Sequence, residues 1–161
     1  MNRSRIIVEE LAKIDTDLEQ LYARQRDLNN ELRNIEQEKI QLEIEKWDIT
    51  PGSTFVLFTK DNDYTYSTCF GYEIEELTDN NFLKVIETSL SVHEDERSVN
   101  VRRATIHCSC LRTWREQSYV YKVENEHYRR LQFRWVRLDD DFTAIASMKD
   151  KVSEAALLQV D

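Results

Sequence analysis

From Arg5 to about Trp47 the apolar residues fall in one repeating pattern. Ile7, Leu11, Ile14, Leu18, Leu21, Leu28, Leu32, Ile35 and Leu42 follow steps of three and four, with Gln25 and Lys39 occupying the two positions where the series would otherwise skip. Steps averaging three and a half residues line one narrow face of a helix. No Gly or Pro occurs before Pro51. The pattern therefore predicts one long helix over residues 4–47, with Ser4 as a candidate N-cap. At about 1.5 Å per residue it would span roughly 60 Å. A seam that long is too extended for a small domain to cover, so it predicts self-association as a coiled coil, first of all a dimer.

With Leu11 at heptad position a and Ile14 at d, Gln25 and Lys39 both fall at a, where polar residues restrict register. In a parallel pair Glu31 would face Glu36 of the partner and Glu38 would face Glu43, so an antiparallel pair or a bundle stays open. Asn29-Asn30 is a candidate bend. Ile40, Ile44 and Trp47 form a second apolar edge, offset from the seam, which predicts docking of the last turns onto the domain that follows.

After the helix the period changes. Residues 48–53, with Thr50-Pro51-Gly52, predict a turn linker. Short β-favouring runs then predict strands at Thr54–Phe58, Tyr64–Tyr72, Phe82–Val92, Thr105–Trp114 (begun as early as Val99), Tyr119–Val123 and Phe133–Leu138. Polar breaks at Asp61-Asn62-Asp63, Thr78–Asn81 and Glu94–Arg97 separate them. Strict alternation would put Ile106, Cys108 and Cys110 on one strand face. Behind Asp139-Asp140-Asp141, apolar residues at helical spacing predict a terminal helix over 142–158. The fold class expected is α+β: a long N-terminal coiled-coil helix, then a β-rich binding domain over 54–161, with a small antiparallel sheet or barrel-like domain and a C-terminal helix.

Charge alters the picture locally. The chain of 161 residues carries a net charge of −9, yet residues 99–138 hold nine basic and three acidic side chains. A net acidic chain is not steered generally toward nucleic acid or anionic membrane. The basic segment is nevertheless rich in aromatic residues. Arg102, Arg103, Arg112, Arg115, Arg129, Arg130 and Arg134 are candidate anion-binding residues, because guanidinium forks suit phosphate and carboxylate. Trp114, Tyr128 and Trp135 are candidate stacking residues for a nucleotide base. Both sets are equally explained by structural ion pairs with the acidic segments and by core packing.

Other chemistry is poorly supported. Three cysteines make a disulfide framework improbable and fit a reducing compartment. Cys69, Cys108, Cys110, His93, His107 and His127 lack the paired spacing of a zinc site, so no metal is expected. Two glycines cannot build phosphate-cradling loops. Glu73, Glu75 and Glu76 read as a solvated edge. No cofactor and no catalytic residue is assigned. No apolar run is long enough to span a membrane, and the first residues lack a signal-peptide core. The expectation is a cytoplasmic, non-enzymatic, homo-oligomeric binding protein (adaptor, inhibitor or assembly subunit) whose partner is another protein. Nucleotide or nucleic-acid binding through 102–137 is the alternative. The cytoplasm is the producer's own, or a host cell's if the gene is viral.

Overall fold

The computed structural model of the chain describes residues 2–60, 66–93, 96–137 and 145–161. Helix α1 runs from Asn2 to Lys46 without a break, straight through Asn29-Asn30. It belongs to two units. Residues up to Lys39 form one, and Ile40–Asp161 forms the other. The compact unit thus begins inside α1, not after Trp47 as the sequence predicts. The reason is burial: Ile40, Ile44 and Trp47 are 9%, 6% and 1% exposed and belong to the core. The second apolar edge is the part of α1 that the domain uses.

The end of α1 is fixed by backbone geometry. Asp48 takes a left-handed conformation, with φ of 50°. The Asp48 amide donates to the Glu45 carbonyl at 2.9 Å, and the Ile49 amide to that of Ile44 at 3.3 Å. This paired closure satisfies carbonyls that a helix end leaves open, and it brings Ile49 against the same core as Ile44. Lys122 Nζ holds the turn by donating to the Asp48 carbonyl at 2.7 Å and carboxylate at 2.6 Å. The predicted Thr50–Ser53 turn follows. Pro51 presets its first corner and Gly52 supplies the φ of 87° that its second requires.

Among the described residues six strands make one open antiparallel sheet. They are β1 (Thr54–Thr59), β2 (Tyr66–Leu77), β3 (Phe82–His93), β4 (Glu96–His107), β5 (Ser118–Val123) and β6 (Ala156–Val160). Their order is β4-β3-β2-β1-β5-β6. The sheet keeps two edges, so the barrel-like alternative is not realised. Helices α2 (Cys110–Gln117), α3 (Asn125–Arg137) and α4 (Ile145–Glu154) complete the fold. Phe55 and Leu57 of β1 face one layer, with α2 and the end of α1. Val56 and Phe58 face the other, with α3 and α4. The compact unit is a three-layer sandwich.

Several predicted elements change type. Thr105–Trp114 is not one strand. β4 stops at His107, and Leu111 and Trp114, one helical turn apart, pack down from α2. Cys108 and Cys110 therefore do not share a strand face with Ile106. Phe133–Leu138 is not a sixth strand, because residues 133–137 are the last turn of α3. Tyr128, Leu131 and Trp135, at steps of three and four, form its buried stripe. The terminal helix does not reach 158. It ends at Glu154, and Ala156–Val160 alternates inward and outward as a strand that pairs with β5. The turn at 61–63, the start of the second strand at Tyr64, Glu94-Asp95 and the stretch Asp139–Phe142 lie outside the described residues.

Each helical layer rests on close contacts. On the α2 side the Trp114 ring stacks on Tyr72 at 4.7 Å and tilts against Trp47 at 6.3 Å. On the α3 side Tyr128 and Trp135 sit directly over Gly71. A Cβ there would lie 2.7 Å from the Tyr128 ring and hydroxyl and 2.8 Å from the Trp135 ring. Gly71→Ala should therefore destabilise the protein by about 1–3 kcal/mol, as overpacking does, read as a lower urea midpoint.

Arg115 of α2 reaches Glu43 of α1 with two guanidinium hydrogen bonds, at 3.1 and 2.7 Å, and both side chains are largely covered. That guanidinium holds the Glu43 carboxyl below its ordinary value of 4.5. A carboxylate with a depressed folded pKa stabilises above its unfolded pKa, and the gain is lost as pH falls through the folded pKa. Glu43→Gln should cost about 1–2 kcal/mol near neutral pH. The gap between the two unfolding curves should close as pH drops below 4.5. A gap of constant size across that range would mean that the charge contributes nothing.

Candidate functional site

The apolar seam of α1 is the first candidate surface. Ile7, Leu11, Ile14, Leu18, Leu21, Leu28, Leu32, Ile35 and Leu42 are all 41–64% exposed in the single chain. Gln25 and Lys39 are exposed among them. Ile40 and Ile44, by contrast, are buried, so α1 carries two separate apolar edges. Ile40 and Ile44 pack into the core of the compact unit, and the seam side chains are exposed among the described residues. Arg5 pairs with Glu9 one turn on, which is a surface contact of small stabilising value.

The predicted anion-binding arginines do not converge. Arg102 and Arg103 are neighbours on β4 and so point to opposite sheet faces. Arg102 Nε donates to the buried Glu87 carboxylate at 2.7 Å, and Arg103 pairs with Glu75 at 3.3 Å. Arg112 and Arg115 lie on α2, where they pair with Glu116 and Glu43. These four are mostly engaged in ion pairs, which was the bland reading of the segment. Only Arg129, Arg130 and Arg134 stand together, all on α3.

The candidate stacking residues are corrected by burial. Tyr128 and Trp135 are 0% and 2% exposed. The Trp135 indole N–H donates to Met148 Sδ at 2.8 Å. Trp114 has one ring face on Tyr72. Tyr128 and Trp135 therefore present no free face to a base, and Trp114 is half-buried. Aromatic residues that occur next to arginines in sequence are here the inward halves of amphipathic helices. The exposed aromatic that sequence reasoning missed is Phe133, at 59%. On a strand it would share a face with Trp135. Helical numbering places it opposite Tyr128, Leu131 and Trp135.

That outward face of α3 is the second candidate surface. Residues 126, 129, 130, 133, 134 and 137 follow one another at steps of three and four, or one apart. They bring Arg129, Arg130, Arg134 and Arg137 around Phe133, with Glu126 at the N-terminal end. A groove of about 370 Å³ is lined by Glu126, Arg129, Arg130, Phe133 and Arg134. Arg130 pairs with Glu126, and the Arg137 guanidinium lies 5.2 Å from the centre of the Phe133 ring. Val136 adds a second exposed apolar side chain, at 56%. Acidic Glu126 in the first turn and Arg134 and Arg137 in the last complement the helix dipole.

The cysteines and histidines are spread out. Cys69 is fully buried under α3 and α4. Burial pushes the Cys108 thiol up to about 11 and, with Cys108 nearby, the Cys110 thiol to about 12. Neither is an activated nucleophile, since the thiolate is the reactive form. His107 shares a hydrogen bond of 2.9 Å with Ser109 and packs edge-on to Phe82. His127 lies on α3, its basicity lowered by burial and then by Arg130. His93 ends β3. Among the described residues no three His, Cys, Asp or Glu side chains are grouped to hold a metal ion. No described helix is long and apolar enough to cross a membrane. No protein family, curated protein or solved structure matches this chain.

Proposed function

We propose that the chain is a non-enzymatic binding protein that pairs with a second copy of itself through the α1 seam and offers its β-rich unit to a partner protein. The observation that carries this reading is the row of exposed Leu and Ile side chains on α1. Covering the exposed half of such a side chain is worth about half of the roughly 1.5–3 kcal/mol of full burial, and nine of them together can offset the cost of bringing two chains together. Gln25 and Lys39 at a positions restrict how two seams can align. The acidic flanks at Glu31, Glu36 and Glu38 disfavour a parallel alignment in register. The proposed compartment is the cytoplasm, which suits three free cysteines.

Leu18→Ser, Leu21→Ser and Leu28→Ser together should halve the mass measured by light scattering while leaving the thermal unfolding of the sheet unchanged. A triple variant that keeps the parent mass moves the contact elsewhere.

Truncation gives a second test, with its cut set by the core. A chain beginning at Gln37 retains Ile40, Ile44 and Trp47 and should fold as a monomer. One beginning at Asp48 loses all three and should fail to fold cooperatively, since each large core truncation alone costs about 2–5 kcal/mol. A cooperative unfolding transition in the chain from Asp48 would contradict the assignment of those residues to the core.

A further inference from the structure

We infer that the outward face of α3 is a docking surface for an acidic, partly apolar segment of a partner protein. This rests on the binding function proposed above and names the chemistry of the partner. The carboxylates of such a segment would lie on Arg129 and Arg137, and its apolar side chains on Phe133 and Val136.

Three observations favour this occupant. The first is charge. In a chain of net charge −9, one helix of thirteen residues shows four arginines and a single acid along its exposed side. Guanidinium forks match carboxylates with two parallel hydrogen bonds. The second is the apolar content. Phe133 and Val136 are 59% and 56% exposed on a helix whose opposite stripe is already buried, so the core has no need of them. A phosphate backbone has no use for an exposed Val, whereas an interface of apolar centre and Arg rim is the ordinary composition of protein contacts. The third is Glu126, which stands inside the groove and pairs with Arg130. A carboxylate there opposes a polyphosphate, which carries a negative charge at every unit along its length. A protein segment can meet Glu126 with a polar or basic side chain.

The geometry also accounts for a rigid site. Tyr128, Leu131 and Trp135 fix α3 to the sheet from below, and Trp135 is tied to Met148 of α4. The arginines therefore project from a helix that cannot roll. Stacking on the Phe133 ring restrains the Arg137 guanidinium before any partner arrives.

The test uses the full chain and fluorescence anisotropy with three labelled probes: a peptide of Glu and Leu repeats, its counterpart with Gln in place of Glu, and an oligothymidine strand. The Glu peptide should bind, and the Gln peptide should bind at least about tenfold more weakly. The double variant Arg129→Ser, Arg137→Ser and the single variant Phe133→Ser should each weaken the Glu peptide by a similar factor. All three positions carry exposed or half-exposed side chains, and circular dichroism melting should confirm that the variants remain folded. Absence of Glu-peptide binding, binding that the variants leave unchanged, or tighter capture of oligothymidine than of the Glu peptide would each overturn the inference. Light scattering on the same samples keeps the two proposals apart. A parent chain that is monomeric yet binds the Glu peptide through these residues sinks self-association and leaves this surface standing. A change of mass in the α3 variants would make this face part of the self-contact and overturn it.

Discussion

The two-sided burial of β1 is the constraint that the compact unit obeys. Thr54, Phe55, Val56, Leu57 and Phe58 are all buried, on alternating faces of the sheet. A strand with no solvent side forces a helical layer on each face. Trp47 and Trp114 meet the Phe55 and Tyr72 side, and Tyr128 and Trp135 meet the Gly71 side. The large rings fit because their seats are shaped for them, a stack on Tyr72 in one case and a missing side chain in the other. The end of α1 takes part in the same packing. Its last two turns are part of the layer that β1 requires.

The same constraint explains which parts of the fold were legible in sequence. The long helix was, because its seam repeats over many turns. The strands at 54–59 and 118–123 were, because β-favouring residues are dense there. The apolar run at 54–58 needs a helical cover on each face, and the sequence reading supplied only the docked last turns of the long helix and a terminal helix. The missing cover was hidden in residues 108–137. Leu111 with Trp114, and Tyr128 with Leu131 and Trp135, keep helical steps. The aromatic and β-branched residues between them raise strand propensity, and tertiary packing overrode it. β6 failed in the opposite direction. Ala155, Ala156 and Leu158 continue a helical spacing, but the open edge of β5 offers backbone partners that one more helical turn cannot.

The candidate surfaces divide along the same line. Residues of the α1 seam were readable one by one, since a helix seen from its sequence shows its faces directly. The α3 face was not, since grouping Arg129, Arg130, Phe133, Arg134 and Arg137 requires knowing that the segment is helical. Read as a strand, Phe133 and Trp135 fall on one side. Read as a helix they fall on opposite sides, with Trp135 in the core and Phe133 toward solvent. Arg102, Arg103, Arg112 and Arg115 belong to the same basic run by sequence but not by function, because each meets an acid from a different element. The Glu43 pair with Arg115 and the Glu87 pair with Arg102 draw on acids 72 and 15 residues away, respectively.

The two surfaces also differ in what a second copy would do for them. The α1 seam has its proposed use in pairing. Its acidic flanks cost something in a parallel arrangement in register, and its apolar row offsets that cost by length. The α3 face is small, a single groove on thirteen residues, and an isolated contact of that size binds weakly. Pairing through α1 would supply two such faces on one body. The second engagement then becomes intramolecular, and two weak contacts hold a partner that presents two acidic segments far better than either does alone, provided that both can be reached at once. Self-association and a modest recognition helix are therefore complementary parts of one proposal. The first supplies valency that the second lacks, and the second supplies specificity that a bare apolar seam cannot.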